Sequence, residues 1–201
     1  MNKLLFSGAF AALVLTVFAF TAPENPVVTT ANINTAESYV GWTGYKVTGK
    51  HHGKVQLKSG ELKFEGDKLV GGSFEINMHT ISCEDLSGEW ADKLVGHLKS
   101  EDFFGVTKYP VAKFEITQVI SRGTPGSYKI VGNLTIKDTT KSIKFNADMK
   151  ETDGKSVTTA DITIDRSEYD IRYGSGSFFD NLGDKTIYDE FDLSVNLVHN
   201  K

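Results

Sequence analysis

Cysteine is nearly missing from this sequence, because Cys83 is the only one among its 201 residues. A single thiol cannot form a disulfide within the chain, so a disulfide framework is excluded. No cysteine lies near residue 22, where the hydrophobic start of the chain ends, and this argues against a lipid-modified N-terminus. We therefore expect a fold that is stabilised by apolar burial and by hydrogen bonds.

Long hydrophobic runs are confined to the start of the chain. Lys3 precedes an apolar stretch over residues 4–20, small residues follow, and a proline-containing segment begins at residue 23. This is the order of regions in a secretory signal peptide, and the stretch is shorter than the roughly 20 apolar residues that a membrane span needs. We predict a signal peptide over residues 1–22 and an exported protein, periplasmic or secreted, without stable membrane insertion after signal removal. An uncleaved anchor is the alternative.

A basic surface is also missing. The chain has 22 Lys and Arg against 26 Asp and Glu, a net charge of −4, and removal of Lys3 with the signal peptide changes it to −5. Nucleic acids and anionic membrane surfaces attract clusters of positive charge. The composition therefore argues against both as partners.

Motifs of nucleophilic catalysis do not occur either. The sequence has no G-x-S-x-G, and no base is identified for Cys83. We predict a protein that is not an enzyme and has no catalytic residues. Two alternatives stay open, a small-molecule or metal enzyme and a secreted partner-binding module.

The sequence is rich in alternating apolar and polar residues. The clearest run lies near the end of the chain, where Phe191, Leu193, Val195 and Leu197 alternate with polar residues. A period of two places one set of side chains on each face of a sheet, and short turns between the runs favour antiparallel neighbours. The predicted strands lie near residues 38–48, 54–65, 68–79, 111–121, 127–137, 141–150, 155–165 and 187–198.

One segment has a helical pattern instead. Residues 82–85 (SCED) are typical of a helix cap, and Leu86, Trp90 and Leu94 recur at helical spacing. We predict an amphipathic helix over about residues 83–99.

Eight antiparallel strands predict an all-β fold that closes on itself. Closure removes the exposed edges of a sheet, and an eight-stranded barrel is wide enough either to be filled by side chains or to hold one small ligand. We predict an eight-stranded antiparallel barrel over residues 38–198, preceded by a linker over residues 23–37. The helix is expected to cover one opening.

A series of motifs along the chain resembles a known family. The motifs are WTGYK (42–46), KHHG (50–53), LVGGSFEINM (69–78), KLVGHLKSEDFF (93–104), KYPVAKFEIT (108–117), GNLTIK (132–137) and DRSEYDIRYG (165–174). In this order and at this spacing, the chain resembles the YceI-like, polyisoprenoid-binding family over about residues 37–198.

The resemblance implies a lipocalin-like barrel that is exported to the periplasm and has a long apolar tunnel. It also implies that the tunnel holds a polyisoprenoid chain or another long amphiphile. On this basis we predict a lipid-binding protein that sequesters or carries a long-chain isoprenoid or a similar amphiphile. That lipid is the expected ligand and partner, no other cofactor is expected, and the oligomeric state stays open, with a homodimer among the alternatives.

Phe103 and Phe104 stand side by side between the predicted helix and the next strand. One interpretation is that a ring fastens the helix to the barrel and fills core space. The other is that a ring lines the tunnel mouth. We predict that the pair seats the helix on the barrel close to the cavity mouth.

Tunnel-lining residues resemble ordinary core residues in a sequence, because burial of a hydrocarbon chain needs few polar contacts. Inward-facing strand residues are therefore the other candidates, with plain core packing as the alternative. The predicted ligand-binding residues of the tunnel or its mouth are Tyr45, Phe74, Ile76, Met78, His97, Phe103, Phe104, Phe114, Ile116, Ile130, Leu134, Phe145, Phe191 and Leu193.

The polar candidates are few. The histidines are His51, His52, His79, His97 and His199. No pair has the H-x-x-x-H spacing or a C-x-x-C partner, so we predict no metal site. We expect His97 to hydrogen-bond at the junction of helix and barrel, with contact to a ligand headgroup as the alternative for His51, His52 or His97. For Asp165 and Arg166 we expect a structural salt bridge or a loop-fixing bond, and headgroup contact is the alternative.

Overall fold

The computed structural model describes residues 27–152 and 154–199. These residues form nine β-strands and one α-helix. The elements are β1 (Val28–Asn32), β2 (Tyr39–Lys46), β3 (Gly49–Glu65), β4 (Lys68–Cys83), α1 (Gly88–Lys99), β5 (Val111–Ser121), β6 (Ser127–Ile136), β7 (Thr139–Thr152), β8 (Lys155–Asp165) and β9 (Ile187–His199). Short 3₁₀ turns occupy Arg166–Tyr169 and Gly183–Lys185. The predicted signal peptide over residues 1–22 lies outside the described residues and stays a prediction.

The strands form one closed sheet. They follow the order β3-β2-β9-β8-β7-β6-β5-β4, and β3 pairs with β4 to complete the circle. Each of these pairs is antiparallel. β1 and β2 lie along the same edge of β3. β2 pairs with the first half of β3, and β1 pairs with the second half. The prediction of an eight-stranded antiparallel barrel with one helix is confirmed.

The interpretation of residues 23–37 as a linker is wrong for much of the part that the structure describes. β1 is hydrogen-bonded to β3, with Val28 opposite Glu65, and the buried Ile33 forms a bridge to His199. The strand VTTAN is exposed over most of its length. It therefore has no apolar alternation from which a strand could be predicted.

The predicted helix start at residue 83 is also wrong. Ser82 and Cys83 belong to β4, where they pair with the beginning of β3. The helix begins at Gly88, after Ser87 at the N-cap, and it ends at Lys99 as expected. The polar sequence around residue 83 is compatible with a helix cap, but pairing with β3 fixes the same backbone in an extended conformation.

Helix α1 lies at the end of the barrel where β4 finishes and β5 begins. Leu98 packs against the core, whereas Trp90, which the spacing placed on the apolar face, is 71% exposed. Every residue of α1 keeps part of its surface exposed, so the helix rests on the barrel with shallow packing. Within the described part of the chain, no helix has the length and apolarity required to cross a bilayer.

Candidate functional site

The barrel encloses a cavity of about 220 Å³. Apolar cavities of about 150 Å³ are already large enough to bind small hydrophobic molecules, so the interior of this barrel is not packed solid. The lining extends from Leu62 and Leu69, near the turn between β3 and β4, to Ile187 and Tyr188 at the start of β9. The cavity therefore runs along the barrel from one end toward the other.

Apolar side chains form nearly all of the lining. Phe145 on β7, Ile162 on β8 and Leu193 on β9 point inward and line the cavity, yet each of them is only partly buried. Their inward direction follows from the pleat, which turns alternate residues of a strand to the same face. Their remaining exposed surface faces the empty space inside the barrel.

The two ends of the cavity differ. At the end that carries α1, Tyr188 is 51% exposed, the highest exposure among the described residues of the lining. At the opposite end, Ile33, Ser38 and His199 are buried, and the bridge between residues 33 and 199 holds β1 against β9. The end of the cavity beside Ile33 and His199 is therefore the more buried of the two.

Phe103 and Phe104 occupy the turn between α1 and β5. Gly105 has a φ of +54°, a conformation that glycine adopts without strain, and its N–H donates to the carbonyl of Ser100 at 2.7 Å. This turn directs both rings to the lining, with Phe103 buried and Phe104 half-buried. The pair thus lies between the helix and the cavity, where it was predicted, and its contact with a ligand stays a prediction.

The structure places the predicted site residues together, with one exception. All of them except His97 lie on the lining. His97 is held between Phe103 and Tyr173, with ring centroids 5.0 and 4.4 Å apart, and its buried Nε2 has no hydrogen-bond partner among the described residues. Ring packing, instead of the expected hydrogen bond, connects His97 to its neighbours. His97 does not line the tunnel, and its contact with a ligand headgroup at the mouth stays a prediction.

The inward face of β2 was assigned wrongly. Val40 and Trp42 line the cavity from β2. The sequence pattern predicts the opposite face, which carries Tyr45, as the inward one. The pairing register with β9 shifts between Gly44 and Lys46, and Tyr45 is among the residues that line the cavity. Its hydroxyl donates to Asp192 at 2.7 Å.

Sequence reasoning also missed part of the lining. The missed residues include Trp42, Ile81, Leu98, Thr158, Ala160 and Arg166. Alternation could have found Thr158 and Ala160, because they share a face of β8 with Ile162. Leu98 and Arg166 lie in helical segments at the barrel end, so no strand pattern could have indicated them.

Arg166 is 3% exposed and borders the cavity. Its guanidinium donates to the carbonyls of Ile171, Ile187 and Tyr188 at 2.7 to 3.1 Å and forms an ion pair with Asp189 at 3.2 Å. Burial lowers the pKa of Arg166, and the charge of Asp189 opposes that shift. The expected loop-fixing role is confirmed, because these bonds tie the 3₁₀ turn to the start of β9.

Asp165 makes its hydrogen bonds within the 3₁₀ turn itself. Its Oδ1 accepts hydrogen bonds from the backbone N–H and the hydroxyl of Ser167 at 2.8 and 2.6 Å. It therefore caps the 3₁₀ turn that follows β8.

A polar cluster lies at the start of β3, outside the cavity lining. Asp85 accepts a hydrogen bond from the backbone N–H of His52 at 2.9 Å and lies 2.8 Å from Nδ1 of His51. Burial raises the pKa of the Cys83 thiol, and nearby Asp85 raises it further, so this thiol is a poor nucleophile at neutral pH. Among the residues described by the structure, no group of three His, Cys, Asp or Glu side chains could hold a metal ion.

Comparison with known families agrees with this geometry. The sequence model of the YceI-like domain matches residues 32–199. The chain belongs to the YceI-like family. The match starts at the last residue of β1, so the YceI-like domain includes part of the segment that was interpreted as a linker.

The relatives and solved structures that resemble this YceI-like chain come from bacteria. A UPF0312 protein of Vibrio cholerae serotype O1 is 29% identical over 151 residues, which are 74% of this chain and 74% of the relative. BcnA of Burkholderia cenocepacia has the same fold with a TM-score of 0.66 at 20% identity, over 83% of this chain and 98% of BcnA. A polyisoprenoid binding domain from Saccharophagus degradans has a TM-score of 0.60 at 9% identity, over 85% and 97% of the two chains.

Proposed function

We propose that this YceI-like protein is an exported carrier that binds a long-chain isoprenoid or a similar amphiphile inside its barrel. It sequesters or transports the lipid through an aqueous compartment without changing it chemically. The observation that carries the proposal is the continuous apolar cavity along the barrel. A structural neighbour described as a polyisoprenoid binding domain supports the same ligand class, and the signal-like residues 1–22 support export.

The length of the cavity suits a chain-like ligand. Thr158 and Arg166 both border the cavity and lie eight positions apart, on β8 and directly after it. At about 3.3 Å per residue they are separated by roughly 26 Å along the strand. Because barrel strands tilt by about 35–45°, this corresponds to roughly 20 Å along the barrel axis.

Apolar burial alone supplies enough free energy for binding. Each buried CH₂ group contributes about 0.8 kcal/mol, so a five-carbon isoprene unit contributes about 4 kcal/mol. Two or three such units offset the association cost of about 4–15 kcal/mol. A ligand of this class therefore needs few polar contacts, in agreement with the lining.

The two alternative classes predict different interiors. An enzyme requires polar side chains that converge on a reacting atom, whereas this lining is apolar over nearly its whole length. A partner-binding module with a filled barrel requires a packed interior, whereas this barrel is hollow. The carrier is the class that uses the open apolar cavity.

The two tryptophans of the chain provide a direct binding assay. Trp42 lines the cavity, and Trp90 is exposed on α1. In a Trp90→Phe variant all indole emission comes from Trp42, and titration with farnesol or geranylgeraniol should change it saturably. A Trp42→Phe variant is the control, because its remaining Trp90 should not respond. Emission of Trp42 that stays unchanged over the titration argues against an occupied cavity.

Export is tested on the full chain. Expressed in a Gram-negative host, the protein should be recovered from the periplasm with an intact mass that lacks the residues 1–22. A protein that keeps this segment and stays with the membrane fraction would instead favour the uncleaved anchor.

A further inference from the structure

The exposed aromatic side chains are concentrated at one end of the barrel. Among the residues that the structure describes, every aromatic side chain that is 41% or more exposed lies at the end that carries α1. We call this set the aromatic rim, and its members are Trp90, Tyr173, Phe178, Phe179 and Tyr188. The opposite end exposes aliphatic side chains instead, such as Val70 and Ile120.

Ring contacts connect the two parts of the rim that come from α1 and from the segment after β8. Tyr173 packs edge-on against His97 of α1, with ring centroids 4.4 Å apart. Trp90 precedes His97 by seven positions, which is about two helical turns, so both residues lie on the same side of the helix. The exposed Trp90 is therefore on the side of α1 that meets Tyr173.

Hydrogen bonds connect the segment after β8 to the start of β9. The N–H of Ile187 donates to the carbonyl of Gly174 at 2.8 Å. The hydroxyl of Ser177 donates to Asp189 at 2.6 Å, next to Tyr188. Tyr188 belongs to the rim and also lines the cavity. The rim thus borders the cavity at its less buried end.

The chemistry of the rim suits a lipid surface. A cluster of exposed apolar side chains marks an interaction site, and the amphipathic rings of Trp and Tyr are enriched where a bilayer meets water. Attraction to anionic lipids needs a basic cluster. Residues 166–186 have three basic and four acidic side chains, and residues 88–99 have two lysines and two acidic side chains. The charges therefore favour a bilayer with neutral headgroups.

We propose that the aromatic rim docks reversibly on a lipid surface with neutral headgroups, so that the amphiphile passes between the bilayer and the cavity beside Tyr188. This inference rests on the proposed function and adds the surface from which the ligand is taken. A long apolar chain resides in a bilayer because its exposure to water is unfavourable. A carrier of such a chain must meet that surface, and the rim is the exposed apolar surface that is continuous with the cavity.

The test uses the protein purified after export and vesicles of phosphatidylcholine, whose headgroup has no net charge. In a Trp42→Phe variant all indole emission comes from Trp90, and it should shift to shorter wavelength as vesicles are added, because the ring leaves water. Cosedimentation with the vesicles measures the partition coefficient of the parent protein. This coefficient should not fall between about 0.05 and 0.5 M salt, since screening weakens only charge attraction, and should not rise when phosphatidylglycerol is included.

Two double variants locate the docking surface. Trp90→Ser/Phe179→Ser removes two rings of the rim that lie outside the cavity lining, and it should lower the partition coefficient by at least about tenfold, because their apolar burial is lost. Val70→Thr/Ile120→Thr is the matched control, since it removes exposed apolar surface at the opposite end, and it should keep the parent value. Farnesol binding from solution, measured with the Trp42 emission, should be equal in Trp90→Ser/Phe179→Ser and in Trp90→Phe.

The contrary outcomes are distinct. No cosedimentation with phosphatidylcholine, or cosedimentation that needs phosphatidylglycerol and is lost in salt, overturns the inference and leaves a farnesol-binding carrier intact. An equal loss in the two double variants overturns the assignment to the rim. Dimerisation without vesicle binding, abolished by Trp90→Ser/Phe179→Ser, would assign the rim to a second copy of the chain. Absence of farnesol binding in every variant would overturn the carrier function and the loading role of the rim with it.

Discussion

Gly132 lies on the inward face of β6 against the ring of Phe114. A Cβ atom at residue 132 would come within 2.4 Å of the Phe114 ring and within 2.6 Å of the Glu115 carbonyl oxygen. The backbone of β5 cannot move away from such an atom without breaking its pairing with β6. Glycine at this position therefore leaves the space that the ring of Phe114 occupies beside the cavity.

We predict that Gly132→Ala lowers the free energy of unfolding by about 1–3 kcal/mol, because an added carbon overpacks the wall. Urea denaturation measures the effect. Gly44→Ala is the matched control, since a Cβ at residue 44 meets no atom of the described residues within 4 Å. Equal stability of the two variants would contradict the account of the wall at Phe114.

Arg166 illustrates a buried charge that fixes the structure. Replacement by methionine removes the donor to three carbonyls and leaves Asp189 without its ion pair. We predict a loss of about 3–5 kcal/mol of unfolding free energy, because a buried charge is left uncompensated. Guanidinium denaturation of Arg166→Met measures it.

Arg172→Met is the control for this prediction. Arg172 pairs with Asp170 at the surface, where its side chain is 58% exposed, and exposed pairs contribute only about 0–1 kcal/mol. If Arg166→Met is no less stable than Arg172→Met, then Arg166 does not fix the barrel end as described.

At the scale of elements, Asp85 connects the loop before α1 to β3. Burial of the carboxylate raises its pKa, but hydrogen bonds from the His52 N–H and from His51 outweigh that effect and hold the pKa below its ordinary value of 3.8. A pKa that is lower in the folded state contributes stability at pH values above the unfolded pKa. This contribution is lost as the pH falls through the folded pKa.

We predict that Asp85→Asn lowers the unfolding free energy at pH 7 by about 1.5–3 kcal/mol, the range for hydrogen bonds to a charged group. The difference from the parent protein should shrink as the pH falls below about 4. Asp92→Asn, at an exposed position of α1, is the control and should show a small difference at every pH. If the difference in unfolding free energy between Asp85→Asn and the parent protein stays constant between pH 2 and 7, the role of the carboxylate is contradicted.

Helix α1 is weakly attached to the barrel. All of its residues are partly exposed, and few buried contacts mean a low free energy of local opening. We predict that the amides of α1 exchange with deuterium much faster than those of β6, which has alternate buried residues along its length. Mass spectrometry of peptides from the two elements measures the rates. Protection of α1 equal to that of β6 would show that the helix is firmly packed on the barrel.

The elements that the sequence predicted well are those with long apolar alternation. β9 was predicted with its inward residues, because Phe191 and Leu193 alternate with polar neighbours over the whole strand. β1 was not predicted, since it lies exposed along β3 and needs no apolar face. The face of β2 was assigned wrongly because glycines and aromatic residues lie on both of its faces and the register with β9 shifts after Gly44.

The candidate site could be predicted only in part for a related reason. Strand residues such as Phe114 and Phe145 were found because their alternation marks one face of a sheet. The space between them is a property of the closed barrel, and no local pattern distinguishes a wall residue beside empty space from a packed core residue. Arg166 was expected to fix a loop. Its position beside the cavity depends on how the 3₁₀ turn after β8 packs against the start of β9, which the sequence does not reveal.

At the scale of the whole molecule, a closed barrel with a hollow interior is a container. We predict that Ala160→Phe fills the middle of the cavity and abolishes lipid binding, because Ala160 lies on the lining of β8. The variant should keep the circular-dichroism spectrum of the parent protein. Thr159→Phe is the control, since the adjacent residue 159 is exposed on the outer face and should leave binding unchanged.

The most direct test of the carrier function is the content of the cavity itself. The protein is purified after export, extracted with organic solvent and analysed by mass spectrometry, in parallel with Ala160→Phe and Thr159→Phe. The account predicts a long-chain amphiphile in the extracts of the parent protein and of Thr159→Phe, at about one molecule per chain, and little of it from Ala160→Phe. A parent protein that carries no more amphiphile than Ala160→Phe would contradict the claim that this barrel binds lipid.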